Sequence, residues 1–329
     1  MRKLAGAVIL FLHLAVPAGA QELFPNTLPA STLPKKVLGL RIFDETYKEV
    51  NTFRNLYAAR LMYGVTSKLT VMATASASNH HGALFPPNLT FHTHNGSQSV
   101  YSTGNFQRGV PYPYQYNGLY LYAQYRLVSM DGQNKHLRMA LYADWSNVNV
   151  AHDEAEPDLL DDNKGYGGGI IITWLRHRCA LSGTAGYIRS TFYNGFAPDV
   201  LGGPDIPTQI RYGDAVKYSF SAGYLLYPFS YKSYNDLNIN LYAEVIGKTY
   251  GAAKVTQYGD VDLPIQTPLL QAGHYAEIHP ALQFIIRSNL RIELSAGFPL
   301  IGQSYSHFTP LYMIAAQRYF YFKKHRKNP

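Results

Sequence analysis

The sequence predicts an all-β fold: a transmembrane up-and-down antiparallel β-barrel of about twelve strands with long extracellular loops. Runs of about ten residues carry apolar side chains at every second position, as strands with one oily face do. Short turns alternate with long connections, and an export signal precedes the whole pattern. A secreted sandwich or a soluble barrel is the alternative, but neither has a reason to separate long from short connections so regularly.

Residues 1–20 have the features of a secretory signal peptide. Arg2 and Lys3 precede an apolar stretch over 4–16, and the small residues at 18–20 provide a cleavage site. No Cys follows that site, so we expect an exported chain without a lipid anchor.

The charge of the chain is modest once the signal is removed. The formal net charge is +8, and it falls to +6 without Arg2 and Lys3. Four of the remaining positive charges lie in 323–329, which we expect to be a basic periplasmic tail. The body is therefore near balance, and a nucleic-acid partner is not expected.

Residues 21–36 contain three prolines and are predicted to be a periplasmic N-terminal lead. The barrel is predicted over 37–322. Its expected strands are 37–44, 54–63, 68–79, 116–128, 136–146, 166–175, 179–190, 215–227, 237–248, 274–287, 289–298 and 308–322. An even number of strands places both termini on the periplasmic side.

The segments 119–127 and 137–145 show the alternation most clearly, with leucines on one face and charged side chains on the other. No run of about 18 apolar residues follows the signal, so a spanning helix is excluded. If this chain crosses a membrane, it must do so as a closed barrel, because open sheet edges are not tolerated in lipid.

Placing the oily faces toward lipid puts a set of polar side chains inside the barrel. Paired charges of both signs could form a selective channel lining, or an interior salt-bridge network that fills the barrel and holds its shape. Both interpretations remain open. The lumen-lining candidates are Gln124, Arg126, Arg138, Asp144, Glu244, Glu277, His279, Gln283, Arg291 and Glu293.

The long connection 79–115 holds His80, His81, His92 and His94. Imidazoles can bind divalent transition metals, but pairs one or two residues apart are not a known closed site. We therefore predict no metal site and no cofactor. Loops of this length are often functional, and we interpret this one as a lid or an inward-folded constriction.

The acidic stretch over 153–162 lacks the spacing of a calcium-binding loop and is interpreted as a solvated outer loop. The chain has no Gly-x-Ser-x-Gly elbow, no phosphate loop and no His-Glu-x-x-His. His279 and Ser295 lie on adjacent predicted strands, but too far apart along them for a catalytic pair. We predict that the chain is not an enzyme, with a lipid hydrolase as a minor alternative.

The stretches 63–71 (YGVTSKLTV) and 165–172 (GYGGGIII) resemble exported barrels of the meta-pathway phenol-degradation family. The likeness is one of hairpin style over most of the mature chain. It implies an outer-membrane barrel that admits hydrophobic or aromatic compounds. No substrate-contact residue follows from it.

These observations together predict a monomeric barrel in the bacterial outer membrane, surrounded by lipid and lipopolysaccharide. Its expected function is that of a passive channel or transporter for small compounds. The alternative is a surface barrel whose loops bind a partner or stabilise the envelope without transport.

Overall fold

The computed structural model describes most of the chain between residues 23 and 322, and the predicted signal peptide over 1–20 and basic tail over 323–329 lie outside the described residues. Within the residues that the structure describes, no helix is long and apolar enough to cross a membrane. The described residues are 23–80, 111–133, 135–148, 154–197, 203–230, 233, 235–259, 261–263, 270–302, 304 and 309–322.

Twelve antiparallel strands form a closed barrel. They follow chain order around the wall, as in an up-and-down barrel, and the barrel closes where the first of these strands pairs with the last. Their bounds are β1 Val37–Glu49, β2 Thr52–Gly64, β3 Leu69–Ser78, β4 Gln115–Gly132, β5 Lys135–Asn147, β6 Lys164–Arg176, β7 Cys179–Ser190, β10 Ala215–Tyr227, β11 Asn238–Tyr250, β14 Gly273–Ile286, β15 Leu290–Ile301 and β16 Leu311–Tyr321. The predicted all-β fold, a closed antiparallel barrel of twelve strands, is confirmed.

A second sheet, which the sequence did not indicate, is built from two of the long connections. Its four short strands are β8 Tyr193–Ala197, β9 Ile206–Arg211, β12 Lys254–Gln257 and β13 Val261–Leu263. Pairing of β9 with β12 joins the two connections. A small apolar cluster around Ile210 and Val255 holds this sheet together.

The first strand is longer than predicted. The predicted strand ends at Asp44, but the mostly polar residues from Glu45 to Glu49 continue β1 in register with β2. Because these residues lie at the end of the strand, their outward side chains need not be apolar. The alternation of apolar and polar residues therefore ends before the backbone hydrogen bonds between β1 and β2 do. The connection to β2 is only two residues long.

Alternation along each strand separates an oily outer face from a polar inner face. On β5, Leu141 and Trp145 point outward and are exposed, whereas Tyr142 and Asp144 point inward and are buried. A strand of 13 residues such as β5, at about 3.3 Å per residue and a tilt of about 40°, crosses roughly 33 Å, close to the bilayer core of about 30 Å.

The two ends of the barrel differ. We call the end at which β1 begins and β16 ends the turn end, because four of its five hairpin connections are short. The opposite end, which carries the long connections together with the two-residue turn between β1 and β2, is the loop end. Outward aromatic side chains lie toward both ends, as in barrels that contact two membrane interfaces. Examples are Tyr63, Tyr125 and Trp174 toward the turn end, and Tyr57, Tyr116, Trp145, Tyr166 and Tyr312 toward the loop end.

If the outer face contacts hydrocarbon, a charge there must cost most at mid-depth. We expect Leu141→Arg, in the middle of β5, to lower the free energy of unfolding by about 2–4 kcal/mol, and Leu300→Arg, near the loop end of β15, by about 0–1 kcal/mol. Urea unfolding in lipid vesicles measures both. Equal, small effects would contradict a lipid-facing wall, because both side chains are exposed in the barrel alone.

Candidate functional site

The lumen is filled from the turn end by residues 23–36 of the same chain. Phe24, Pro25, Ala30 and Leu33 are buried inside the barrel. This corrects the prediction of a periplasmic lead over 21–36, of which 23–36 are described. The segment passes along the inner wall rather than leaving the barrel.

Glu244, in the middle of β11, is the main anchor of this N-terminal segment. Its carboxylate accepts hydrogen bonds from the backbone N–H groups of Asn26 at 2.9 Å and Thr27 at 3.0 Å. The Asn26 amide donates to it at 2.9 Å and the Thr27 hydroxyl at 2.7 Å. A buried carboxylate is tolerated because its oxygens are satisfied by such donors.

Side chains of other strands satisfy the rest of the segment. The N–H of Ala30 donates to Oγ1 of Thr173 on β6, and the N–H of Leu33 donates to Oγ1 of Thr70 on β3, both at 2.8 Å. Gln124 on β4 donates to the carbonyl of Pro29 at 2.9 Å. The prolines have no N–H, which reduces the number of donors that an irregular chain in the lumen has to satisfy.

Apolar packing complements these hydrogen bonds. Ala30 and Leu33 belong to a buried cluster in which side chains of the segment meet those of the wall. Burying such groups stabilises the inserted position by about 25 cal/mol per Å² of apolar surface. The wall side of the cluster consists of Met62, Met72, Tyr122, Ala140, Tyr142, Ile171 and Tyr319.

Glycines make room for one of these rings. A Cβ on Gly186 would lie 1.9 Å from the Tyr142 hydroxyl, and one on Gly169 would lie 2.8 Å from its ring. The Tyr142 ring therefore lies flat against the wall and stacks on Tyr122, with ring centroids 5.3 Å apart. Lys217 Nζ lies 4.9 Å from the Tyr142 centroid, within cation–π range.

From the loop end, residues 154–163 fold inward. Lys248 on β11 donates to Glu156 at 2.9 Å, and Ser304 donates to the other oxygen of Glu156 at 2.8 Å. Ser76 on β3 donates to the carbonyl of Leu160 at 2.8 Å. The interpretation of 153–162 as a solvated outer loop is therefore wrong for its described part, which is pinned to opposite regions of the wall.

The acidic segment holds several carboxyl groups close together, and this proximity affects the pKa of Asp162. Burial, followed by the charges of Asp158 and Asp161, raises the pKa of Asp162 well above its ordinary value. Asp162 therefore contributes more to the stability of the folded segment as the pH falls from its raised folded-state pKa toward the ordinary value of 3.8, because the folded carboxyl binds a proton that the unfolded one releases.

The histidines of 79–115 are only partly described. His80 Nδ1 contacts a carboxylate oxygen of Asp161, which ties the start of this connection to the acidic segment. His81, His92 and His94 lie outside the described residues, as does most of the predicted lid. Within the described ranges no group of three or more possible metal ligands occurs.

The ten lumen candidates all lie on inward positions or at the turn-end rim of the lumen. Gln124 and Glu244 hold the N-terminal segment, and Arg138 donates to Ser31 of it at 2.9 Å. Arg126 donates to the carbonyl of Ser67 in a turn. The remaining candidates, Asp144, Glu277, His279, Gln283, Arg291 and Glu293, are buried.

Most of these buried candidates are paired. Asp144 accepts from Lys217 at 2.8 Å, and Arg41 contacts Glu293 at 3.0 Å. Gln283 also donates to Glu293, at 2.8 Å. His279 Nε2 lies 3.2 Å from Glu277. The last of these candidates, Arg291, donates to the hydroxyl of Tyr319 at 2.8 Å.

Such pairing is what the interior-network interpretation requires. A role of these residues in selecting a solute stays a prediction. Sequence reasoning missed Arg41, Asn26, Thr27, Ser221 and Lys217. The alternation in β10, whose odd-numbered residues face inward, could have found Lys217 and Ser221, but nothing in the alternation points to a segment without strands.

The barrel resembles solved outer-membrane channels. It matches the crystal structure of an outer-membrane channel from Pseudomonas putida F1 with a TM-score of 0.55 and 11% identity, over 91% of this chain and 100% of the other. Weaker matches are the CymD monoaromatic hydrocarbon channel (TM-score 0.45, 10% identity, 89% and 90% covered) and the NanC porin (0.42, 8%, 86% and 100%). No family model and no curated protein matches the sequence. At these identities the likeness shows the fold.

The acidic segment should loosen when its buried cation is removed. Lys248→Met leaves Glu156 without its charge partner, and breaking a buried pair costs about 3–5 kcal/mol. We expect a glutamate-specific protease to cleave after Glu154 at least about tenfold faster. Lys254→Met is the control, since its pair with Asp262 is exposed and is worth about 0–1 kcal/mol. Unchanged cleavage in Lys248→Met would contradict the pinning.

Proposed function

We propose that this protein is a passive outer-membrane channel for small polar solutes, and that residues 23–36 and 154–163 hold it in a closed state. The observation that carries the proposal is a closed sheet whose polar lumen is filled by two segments of its own chain. Residues 23–36 continue into β1, and residues 154–163 belong to the connection between the neighbouring strands β5 and β6, so each segment can leave the lumen without unfolding a strand.

The outer face supports the location. A belt of exposed leucine, isoleucine and aromatic side chains surrounds the wall, and charged groups are concentrated inside and at the ends. Short turns of such barrels face the periplasm and long loops face outward. We therefore place the turn end, and the entry of the N-terminal segment, on the periplasmic side.

The N-terminal segment is attached in a way that permits release. Its contacts with Thr173 and Thr70 are single hydrogen bonds from backbone N–H groups, and at Glu244 it makes four hydrogen bonds. A net hydrogen bond is worth about 0.5–1.5 kcal/mol, because water replaces it when it breaks. The chain turns into β1 at Lys36, which has a φ of 66° and provides a pivot next to the wall.

The lining favours polar solutes over the hydrophobic or aromatic compounds that the family resemblance implies. A solute that replaces the segment would meet the groups that the segment now satisfies, among them Gln124, Thr173 and Glu244. An apolar solute would leave those groups unpaired, at about 1–3 kcal/mol each. A solute with its own donors and acceptors would not.

A second function stays in competition. A surface barrel that does not transport would also have a filled lumen, and its long connections already form the extra sheet of β8, β9, β12 and β13. Removal of the inner segment separates the two functions, because only a channel opens when it is unplugged.

We expect deletion of 23–34 to raise the conductance of single barrels in planar bilayers and to speed the flux of small sugars into vesicles. The physical reason is that the turn-end half of the lumen is then emptied, while β1 remains paired on both sides. A folded, inserted, silent deletion variant would contradict the channel and favour the surface barrel.

A disulfide lock tests release directly. The Oγ atoms of Thr27 and Ser221 are 2.8 Å apart, so a Thr27→Cys/Ser221→Cys pair suits a disulfide. In a Cys179→Ser background, the oxidised variant should stay closed, and a reductant should restore the openings of the parent. The single variant Thr27→Cys is the control. Equal activity in the oxidised and reduced states would exclude release of the segment as the opening step.

A further inference from the structure

Two basic side chains face each other on the outer wall at the turn end. Lys135 at the start of β5 is directly opposite Arg176 at the end of β6, and both are exposed. Like charges directly opposite in a sheet are destabilising. Asp131, close by on β4, is engaged instead by His136 at 2.7 Å and Arg138 at 3.0 Å.

Small residues flank this basic pair on both sides. Gly132 on β4 is opposite Lys135, and Cys179 on β7 is opposite Arg176. The Lys135 stem lies against Gly132, where a Cβ would be 2.9 Å from Cε of the lysine. We call this outward row across four strands, in which two basic residues are flanked by residues with small or no side chains, the notch.

The next outward row toward mid-wall is apolar. Register places Met130 beside Leu137, Leu137 beside Trp174, and Trp174 beside Leu181, and all four are exposed. Trp is enriched where hydrocarbon meets the headgroups. The two cations thus lie one step beyond the apolar belt, at headgroup depth.

We propose that this notch, Gly132–Lys135–Arg176–Cys179, binds the phosphate of an anionic phospholipid in the periplasmic leaflet. The phosphate lies between the ammonium and guanidinium groups and removes their mutual repulsion. The acyl chains pack on the apolar row that contains Leu137 and Trp174. This inference rests on the proposed membrane location and orientation, and is separate from transport.

The experiment is native mass spectrometry of the full chain released from nanodiscs of mixed phosphatidylglycerol and phosphatidylcholine. We expect one phosphatidylglycerol to be retained by the parent protein. Lys135→Gln/Arg176→Gln should weaken its retention about 30-fold, since each basic residue at an anionic leaflet contributes about fivefold. Lys68→Gln/Arg287→Gln, which removes the same charge at other turns of that end, should leave retention unchanged.

Two further measurements distinguish a lipid site from simple attraction of phosphate by charge. Lys135→Arg/Arg176→Lys keeps both charges and should retain the lipid, and excess inorganic phosphate should not displace it, because the acyl chains contribute. Equal retention by Lys135→Gln/Arg176→Gln, or displacement by free phosphate, overturns the lipid site. Failure of the parent protein to enter nanodiscs would overturn the membrane location itself, which gel mobility before and after heating detects independently.

Discussion

The structure depends on one constraint: a sheet that meets hydrocarbon has to close, because lipid offers no partner to an open edge. Pairing of β1 with β16 satisfies the last row of N–H and C=O groups. Closure also creates an interior, and with side chains alternating along each strand that interior receives the polar half of the sequence. The filled lumen follows from closure. Polar groups such as Glu244, shut off from bulk water, need partners, and the chain supplies them.

The two inserted segments solve this problem by different means. Residues 23–36 contribute backbone N–H groups to wall side chains such as Thr70 and Thr173, and their prolines remove donors that would otherwise be orphaned. Residues 154–163 contribute charge, and Lys248 neutralises part of it at Glu156. The first segment is held by many weak contacts that water can replace. The second depends on a buried ion pair, whose loss leaves an uncompensated charge. The N-terminal segment is therefore the easier one to release.

Alternation with period two was sufficient for the wall. It identified the twelve strands and the inward side of residues such as Asp144 and Gln283, since a one-residue slip would put every side chain on the wrong face. The alternation did not predict the elements that have no lipid-facing side. The end of β1, the strands β8 and β12, and both inserted segments have no lipid-facing side, so their positions follow from long-range contacts that leave no period in the sequence. A proline-rich lead and an acidic stretch have the same composition inside a barrel as outside it.

The central claim is that residues 23–36 occupy the lumen, and hydrogen exchange in lipid nanodiscs tests it most directly. The amides of Asn26, Thr27, Ala30 and Leu33 donate to wall side chains. The account predicts that they exchange slowly, on the timescale of local opening rather than of an exposed chain. Exchange within seconds, as for a free periplasmic tail, would contradict it.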